Sequence, residues 1–388
     1  MKILFISLGC DKNLVDSEVM LGLLTKNGYT LTDDETQADV IVINTCCFIH
    51  DAKEESINTI LEMAQYKEQN LKALVVAGCL AERYKDEILK EIPEIDAVLG
   101  TTSYDSIVEA VNMALAENAG EHFEHYESID YLPDNSEVER VVTTGNHMAY
   151  LKIAEGCDKR CSYCIIPKIR GHFRSVPMEE LLNEAKRLAS EGVKELVLVA
   201  QETTLYGKDL TGEKQLPLLL HELCKIEGIE WIRLLYCYPE EITDELIEAI
   251  KTEEKVCNYI DMPIQHSENR ILQRMGRRTS REDLVAVIKK LRQEIPDITI
   301  RTTLITGFPG ESQEDHEGLM NFVEECKFDR LGVFTYSPEE DTLAATFEDQ
   351  IDEEVKEARR DELMSLQQEI SYEHTQQLVG KTIKVMVE

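Results

Sequence analysis

Residues 149–164 read Ala149-Tyr150-Leu151-Lys152-Ile153-Ala154-Glu155-Gly156-Cys157-Asp158-Lys159-Arg160-Cys161-Ser162-Tyr163-Cys164. An apolar strand candidate, 149–154, runs straight into a glycine and three cysteines spaced C-x3-C-x2-C. Working outward, the pattern of a short apolar run ending in a polar loop recurs at 195–200, 231–235, 259–262, 299–305 and 331–336. Helical stretches follow each run, the last being 352–374, rich in Glu, Leu and Gln. Strands alternating with helices give a parallel α/β arrangement. Six such units over 147–375 predict a partial (β/α) barrel of six rather than the full eight. Chemistry in such barrels gathers at the carboxyl ends of the strands. Gln201-Glu202, Tyr236-Cys237-Tyr238-Pro239, Pro263-Ile264-Gln265-His266 and Gly307-Phe308-Pro309-Gly310-Glu311 all fall there. Each is weak alone, since polar residues commonly end strands and the Gly-Phe-Pro-Gly run by itself is a tight turn. Their shared edge makes them one mouth.

Residues 1–118 carry a separate alternation, with strands at 3–8, 40–44, 73–77 and 97–99 and helices at 15–27, 51–66, 81–91 and 104–117. This predicts an open, Rossmann-like parallel α/β domain. Right-handed crossovers put all its strand ends on one edge. Cys10, Cys46 and Cys79 lie at or just beyond the ends of the first three strands, about one βα repeat apart. A single cysteine is most often a small buried hydrophobe. Three at equivalent strand ends converge on the crevice where open α/β sheets bind ligands. Cys47 follows Cys46 directly, neighbouring side chains diverge, and the register selects Cys46.

Three thiolates on one loop can face a structural zinc or an iron-sulfur cluster. Zinc needs a fourth ligand, and neither His172 nor a later cysteine stands at a paired spacing. A 4Fe-4S cluster held by three cysteines keeps one iron open for a ligand. Residues 152–174 hold six Lys or Arg against two acids, a local excess of positive charge that favours thiolates.

The chain has 388 residues and a net charge of −34, with 43% hydrophobic residues. That length predicts two or three domains. No apolar run approaches the ~18 residues of a membrane span, and residues 1–9 read as a strand rather than an export signal, so the expectation is a cytoplasmic protein with no membrane partner. Eleven cysteines, an odd number, do not describe a disulfide framework. Strong acidity disfavours broad nucleic-acid binding and favours a basic partner. Residues 117–139 hold eight acids and no Lys or Arg, which predicts an acidic linker over 119–146. Arg270, Arg274, Arg277, Arg278 and Arg281 form a basic run. It could be a solvated loop, a nucleic-acid contact or a clamp on carboxylates. Residues 337–374 carry thirteen acids and read as an exposed helix face, while Cys224, Cys237, Cys257 and Cys326 read as ordinary buried or strand residues.

The C-x3-C-x2-C run with Tyr163 inside it resembles the signature of the radical S-adenosylmethionine (SAM) superfamily. With an α/β domain carrying three cysteines before it, the whole chain resembles the methylthiotransferase family. The resemblance implies two 4Fe-4S clusters, one on Cys157, Cys161 and Cys164 and one on Cys10, Cys46 and Cys79, with no catalytic residue beyond these ligands. It implies that SAM serves as both methyl donor and radical source. Tyr163 would lie against the adenine, and Gln201, Glu202, Gln265, Gly307 and Gly310 would line the SAM pocket. An electron donor such as flavodoxin or ferredoxin, and a sulfur donor, are implied partners.

Two branches of the family differ in substrate. One modifies tRNA adenosine. The other, the RimO type, adds a methylthio group to the β-carbon of an aspartate in ribosomal protein S-twelve, free or on the small ribosomal subunit. Ser7-Leu8-Gly9-Cys10-Asp11-Lys12-Asn13, Tyr236-Cys237-Tyr238-Pro239 and Asp261-Met262-Pro263-Ile264-Gln265-His266 resemble the RimO form, and the tRNA branch is the alternative. A non-catalytic iron-sulfur electron carrier or scaffold is a third reading, from a different class. The family ends in a small β-barrel called TRAM. Residues 380–387 look like its first strand, implying that 376–388 is the start of a truncated TRAM domain. Cys46-Cys47 departs from the family, where a small residue usually follows the ligand.

Overall fold

A computed structural model describes residues 1–116, 122–145 and 147–387. The expected boundary at 118/119, residue 146 at the end of the expected linker and residue 388 at the end of the expected TRAM segment lie outside the described residues. Two compact units make up the chain: Met1–Thr144 with Glu155–Asp158 and Ile165–Val176, and Gly145–Ala154 with Lys159–Cys164 and Pro177–Glu388.

The first unit contains β1 (Lys2–Ser7), α1 (Asp11–Lys26), β2 (Thr30–Leu31), β3 (Val40–Thr45), α2 (His50–Ala64), β4 (Ala73–Gly78), α3 (Cys79–Arg83), α4 (Ile88–Glu91), β5 (Ala97–Leu99), α5 (Ile107–Ala114) and β6 (Phe123–His125). All six strands pair in parallel, in the order β2-β1-β3-β4-β5-β6. β3 and β4 are buried along their whole length, as strands covered on both faces must be. Successive side chains go to opposite faces. Ile41, Ile43, Leu74 and Val76 pack with Ile60 and Leu80, while Val40, Val42 and Val75 pack with Met20, Leu24 and Ile107. Each such side chain contributes about 1.5–3 kcal/mol.

Two expectations need correction here. The helix expected at 81–91 is two short helices, because the exposed Lys85-Asp86-Glu87 breaks the apolar periodicity before Ile88 returns to the core. The described part of the acidic stretch is no free linker. β6 extends the sheet beside β5, and a buried ion pair of 2.8 Å joins Arg140 to Glu18 of α1. Its acids made it look solvated, but a three-residue edge strand and one buried arginine suffice to anchor it. The two-residue edge strand β2 was also invisible, being too short for any periodicity.

The first unit also holds α6 (Ile166–Arg170) and β9 (Arg174–Ser175), the division falls within β8 (Ala154–Glu155), and β7 (Met148–Lys152) opens the second unit. The second unit continues with α7 (Met178–Ser190), β10 (Glu195–Val199), α8 (Lys208–Thr211), α9 (Leu216–Cys224), β11 (Trp231–Leu234), α10 (Asp244–Thr252), β12 (Tyr259–Asp261), α11 (Asn269–Arg274), α12 (Arg281–Glu294), β13 (Thr299–Thr306), α13 (Gln313–Cys326), β14 (Arg330–Thr335) and α14 (Glu353–Gln376). Its six principal strands are parallel but form two ladders, β7-β10-β11 and β12-β13-β14. Single bonds join the ladders, among them Cys237 N–H to Asp261 O at 2.8 Å. Capping boxes at Ser280-Asp283 and Ser312-Asp315 start α12 and α13, satisfying amides that the first helical turn leaves unpaired.

Residues 381–387, expected as a strand, form none. A strand needs a ladder partner, and none pairs with it among the described residues. Lys384 instead lies over the Trp231 ring and pairs with Glu230.

Candidate functional site

The sheet of the first unit brings its cysteines together. Cys46 directly follows β3, Cys79 directly follows β4, and Cys10 is the N-cap of α1. Gly9, at φ +90°, allows the close approach: a Cβ there would stand 2.6 Å from Cys46 Cβ and 2.9 Å from its Sγ. Cys47 points elsewhere, into the core, with its thiol donating to Cys79 O at 3.1 Å. Ser56 holds the Cys46 backbone, its Oγ accepting from Cys46 N–H at 3.0 Å and donating to Cys46 O at 2.8 Å.

Burial pushes the Cys46 thiol up, with Cys10 adding to the push. It pushes Cys79 up further; Arg170 pulls the other way, while Cys47, Cys46 and Cys10 all press upward.

Sequence reasoning missed Arg170. The last residue of α6, it is buried in the first unit. Its Nη1 donates to Asp16 Oδ2 at 2.8 Å and Glu155 Oε2 at 3.1 Å. Its Nη2 donates to Asn13 Oδ1 at 2.6 Å and reaches Cys79 Sγ at 3.5 Å. Asn13 also donates to Leu8 O and Thr45 O, at 2.8 and 3.0 Å, tying α1 to two strand ends. One signal was available: Asn13, Asp16 and Ser17 recur at helical spacing and are buried on one face of α1. A polar face turned inward calls for a buried partner.

Cys157 is buried, its N–H donating to Gly171 O at 3.1 Å in the first unit. Cys161 and Cys164 belong to the second unit. There the Tyr238 hydroxyl lies 2.8 Å from Cys161 Sγ. The Tyr238 ring is held between the Arg277 guanidinium, 3.8 Å from its centroid, and Lys159 Nζ at 4.7 Å. Arg277 donates to Pro263 O at 2.9 Å, and its buried Nε and Nη1 have no partner among the described residues. Burial, and then Cys161, push the Tyr163 hydroxyl up, while its ring packs with Ile271, Met275, Phe308 and Tyr336.

The remaining expected pocket residues divide. Gln265 has a positive φ of +73° and a buried Oε1 without a partner among the described residues. Glu202 is fully buried, accepts from Thr204 N–H at 3.0 Å and stands 3.9 Å from Lys159. Burial raises its carboxyl to about 7. Gln201, beside it, is half-buried. At Gly307 and Gly310 a Cβ would strike Lys356 Cγ at 2.2 Å and Asp349 Oδ2 at 2.3 Å. Their turn is pinned by Glu311, whose Oε2 accepts from Gly307 N–H at 2.8 Å and whose Oε1 meets Arg359 at 2.9 Å. These glycines thus serve the packing of the turn against α14 and the loop before it.

Several of the expected positive charges have acidic partners. Part of the positive excess over 152–174 is compensated, Arg170 by Asp16 and Glu155, Lys159 by Glu241 and Arg174 by Asp130. Of the arginine run, Arg270, Arg274 and Arg281 pair with Asp315, Asp349 and Glu268, and Arg277 is sequestered over Tyr238.

The donor sets fit iron-sulfur clusters. Among the described residues no three or more His, Cys, Asp or Glu side chains already stand as a group that could hold one metal ion. Cysteines on a four-iron cluster bind separate irons and stand wider. A buried guanidinium beside the first set, and buried unpartnered N–H groups beside Cys161, suit an anionic cluster and ligand.

Comparison with known proteins agrees. Residues 2–100 match the uncharacterized protein family UPF0004, and residues 151–323 match the radical SAM superfamily. The chain is 64% identical, over all its length and 88% of the relative's, to a Lachnoclostridium phytofermentans protein named ribosomal protein uS12 methylthiotransferase RimO. A Clostridium perfringens protein of the same name is 54% identical over the whole chain and 86% of its own length. Among solved structures, the radical SAM methyltransferase TsrM from Kitasatospora setae superposes with a TM-score of 0.62 at 14% identity, covering 88% of this chain and 76% of that one. The cobalamin-dependent radical SAM enzyme OxsB reaches 0.57 at 13% identity, covering 96% and 56%. At such identity these two speak for the fold alone.

Proposed function

The chain belongs to the RimO family of radical SAM methylthiotransferases, and from that membership we propose that it adds a methylthio group to the β-carbon of an aspartate in ribosomal protein uS12. The observation that carries the reading is the 64% identity spanning every residue of the chain. Cys157, Cys161 and Cys164 would hold one 4Fe-4S cluster and Cys10, Cys46 and Cys79 a second. Such clusters, when bound, supply an electron for cleaving SAM and an open iron for the transferred sulfur.

The chain's own residues prepare these sites. Tyr238 hydrogen-bonds the Cys161 sulfur, and the flanking Arg277 and Lys159 fix its ring. Arg277 and Gln265 offer a buried cation and a buried acceptor to a zwitterionic ligand such as SAM. Glu311 fixes the turn after β13. An electron donor such as flavodoxin or ferredoxin and a sulfur donor complete the reaction.

Charge supports the substrate. Ribosomal proteins are basic because they bind RNA, and a chain at −34 attracts them while repelling tRNA. The attraction falls with salt, since exposed charges are screened beyond ~8 Å at physiological ionic strength. The test offers the reconstituted, reduced enzyme both uS12 and isopentenyladenosine-containing tRNA, and weighs each for the added methylthio mass. Mass on uS12, declining with salt, is the expected result. Mass on the tRNA alone would replace this reading with the tRNA branch. Iron uptake without SAM cleavage would leave an electron carrier.

A further inference from the structure

We propose that Arg170 is a positioning residue for the N-terminal sulfur site, its Nη2 donating a hydrogen bond to the Cys79 sulfur and raising the reduction potential of the cluster held there. This rests on the two-cluster reading above. The guanidinium has no freedom to turn away. Asp16 and Glu155 fix Nη1, Asn13 fixes one side of Nη2, and the remaining contact is Cys79 Sγ at 3.5 Å. All four partners are buried, so water does not screen the charge.

A purely structural arginine would need only its two carboxylates. Here Asn13, itself locked to Leu8 O and Thr45 O, turns the fork toward the sulfur. A donated hydrogen bond and a positive charge both favour the reduced, more negative state of an iron-sulfur cluster. The step affected is the transfer of one electron from a reductant to the cluster, with no bond made or broken. Connectivity adds a consequence: α6, which ends in Arg170, begins two residues after Cys164. The segment that leaves one cysteine loop therefore supplies the hydrogen bond to the other site.

The test uses the full-length chain with Cys157, Cys161 and Cys164 all changed to Ala, so that one cluster remains. Into it go R170K, and separately the pair R170Q/D16N, which removes one charge of each sign and leaves the pocket's net charge unchanged. Iron is counted, melting is followed, and the midpoint potential is read by EPR-monitored titration with dithionite. We expect about four irons in the parent. In R170Q/D16N the reduced-to-oxidised ratio at fixed potential should fall at least tenfold, a drop of 59 mV for a one-electron couple. R170K, which keeps the charge but loses the fork, should shift the same way by less, and it decides the matter if the double variant fails to fold. Folded variants with four irons and the parent's potential would overturn the inference and leave the two-cluster reading intact. A parent that binds no iron would overturn both.

Discussion

The Tyr238 hydroxyl lies 2.8 Å from the Sγ of Cys161, with the ring between Arg277 and Lys159. Tyr238 belongs to the loop after β11, so a neighbouring strand end would support Cys161 as a cluster ligand from outside. Tyr238→Phe deletes the hydrogen bond and keeps the ring. Losses at supporting residues of metal ligands run about 10–100-fold. The expected result is at least a tenfold fall in 5′-deoxyadenosine formation, with iron content unchanged and stability lower by about 1 kcal/mol.

Cys46 and Cys47 are adjacent in sequence and opposite in direction, one beside Gly9 and the other bonded to Cys79 O in the core. Cys46→Ala should cost about four of about eight irons. Cys47→Ala should keep them and lose about 1–2 kcal/mol of stability through its packing and hydrogen bond. Iron counting and denaturant unfolding separate the two, and the reverse pattern would exchange the ligand.

Much of this was legible in the sequence. Runs such as Val40-Ile41-Val42-Ile43 can only be strands buried on both faces, and β3 is buried throughout. The cysteines at their ends followed from register. Arg170 was not legible, because its partners Asn13, Asp16, Cys79 and Glu155 are scattered along the chain and only the tertiary fold collects them. Tyr238 was read as part of a motif, but its contact with Cys161 crosses 77 positions. Gly307 and Gly310, expected from their place at a strand end to line a ligand pocket, also leave room for Lys356 and Asp349, a packing demand that the sequence did not show.

Gly9 tests whether the first sulfur site depends on backbone approach. Its φ of +90° alone costs a side chain about 1–2 kcal/mol. The added Cβ would also stand 2.6 Å from Cys46 Cβ, and neither backbone can retreat without disturbing Cys10 or β3. Gly9→Ala should therefore lower the melting temperature and lose about four irons, with SAM cleavage retained. A variant with full iron content would show that the Cys10 loop is free to move.

Glu202 gives a pH-dependent expectation. Its folded carboxyl is raised to about 7, first by burial, against an ordinary 4.5. The sign follows from that rise. Below the ordinary value the residue is protonated in both the folded and the unfolded chain, and nothing is lost. As pH climbs from 4.5 to 7 the unfolded chain ionises first, so folding is progressively disfavoured, by on the order of 3 kcal/mol once both forms are charged. Glu202→Gln does not titrate and can still accept from Thr204. Measured by urea unfolding of the apo-protein under reducing conditions, its stability relative to the parent should improve between pH 5 and pH 8 by about 2 kcal/mol or more. A constant difference across that range would mean that Lys159, 3.9 Å away, keeps the carboxylate charged throughout.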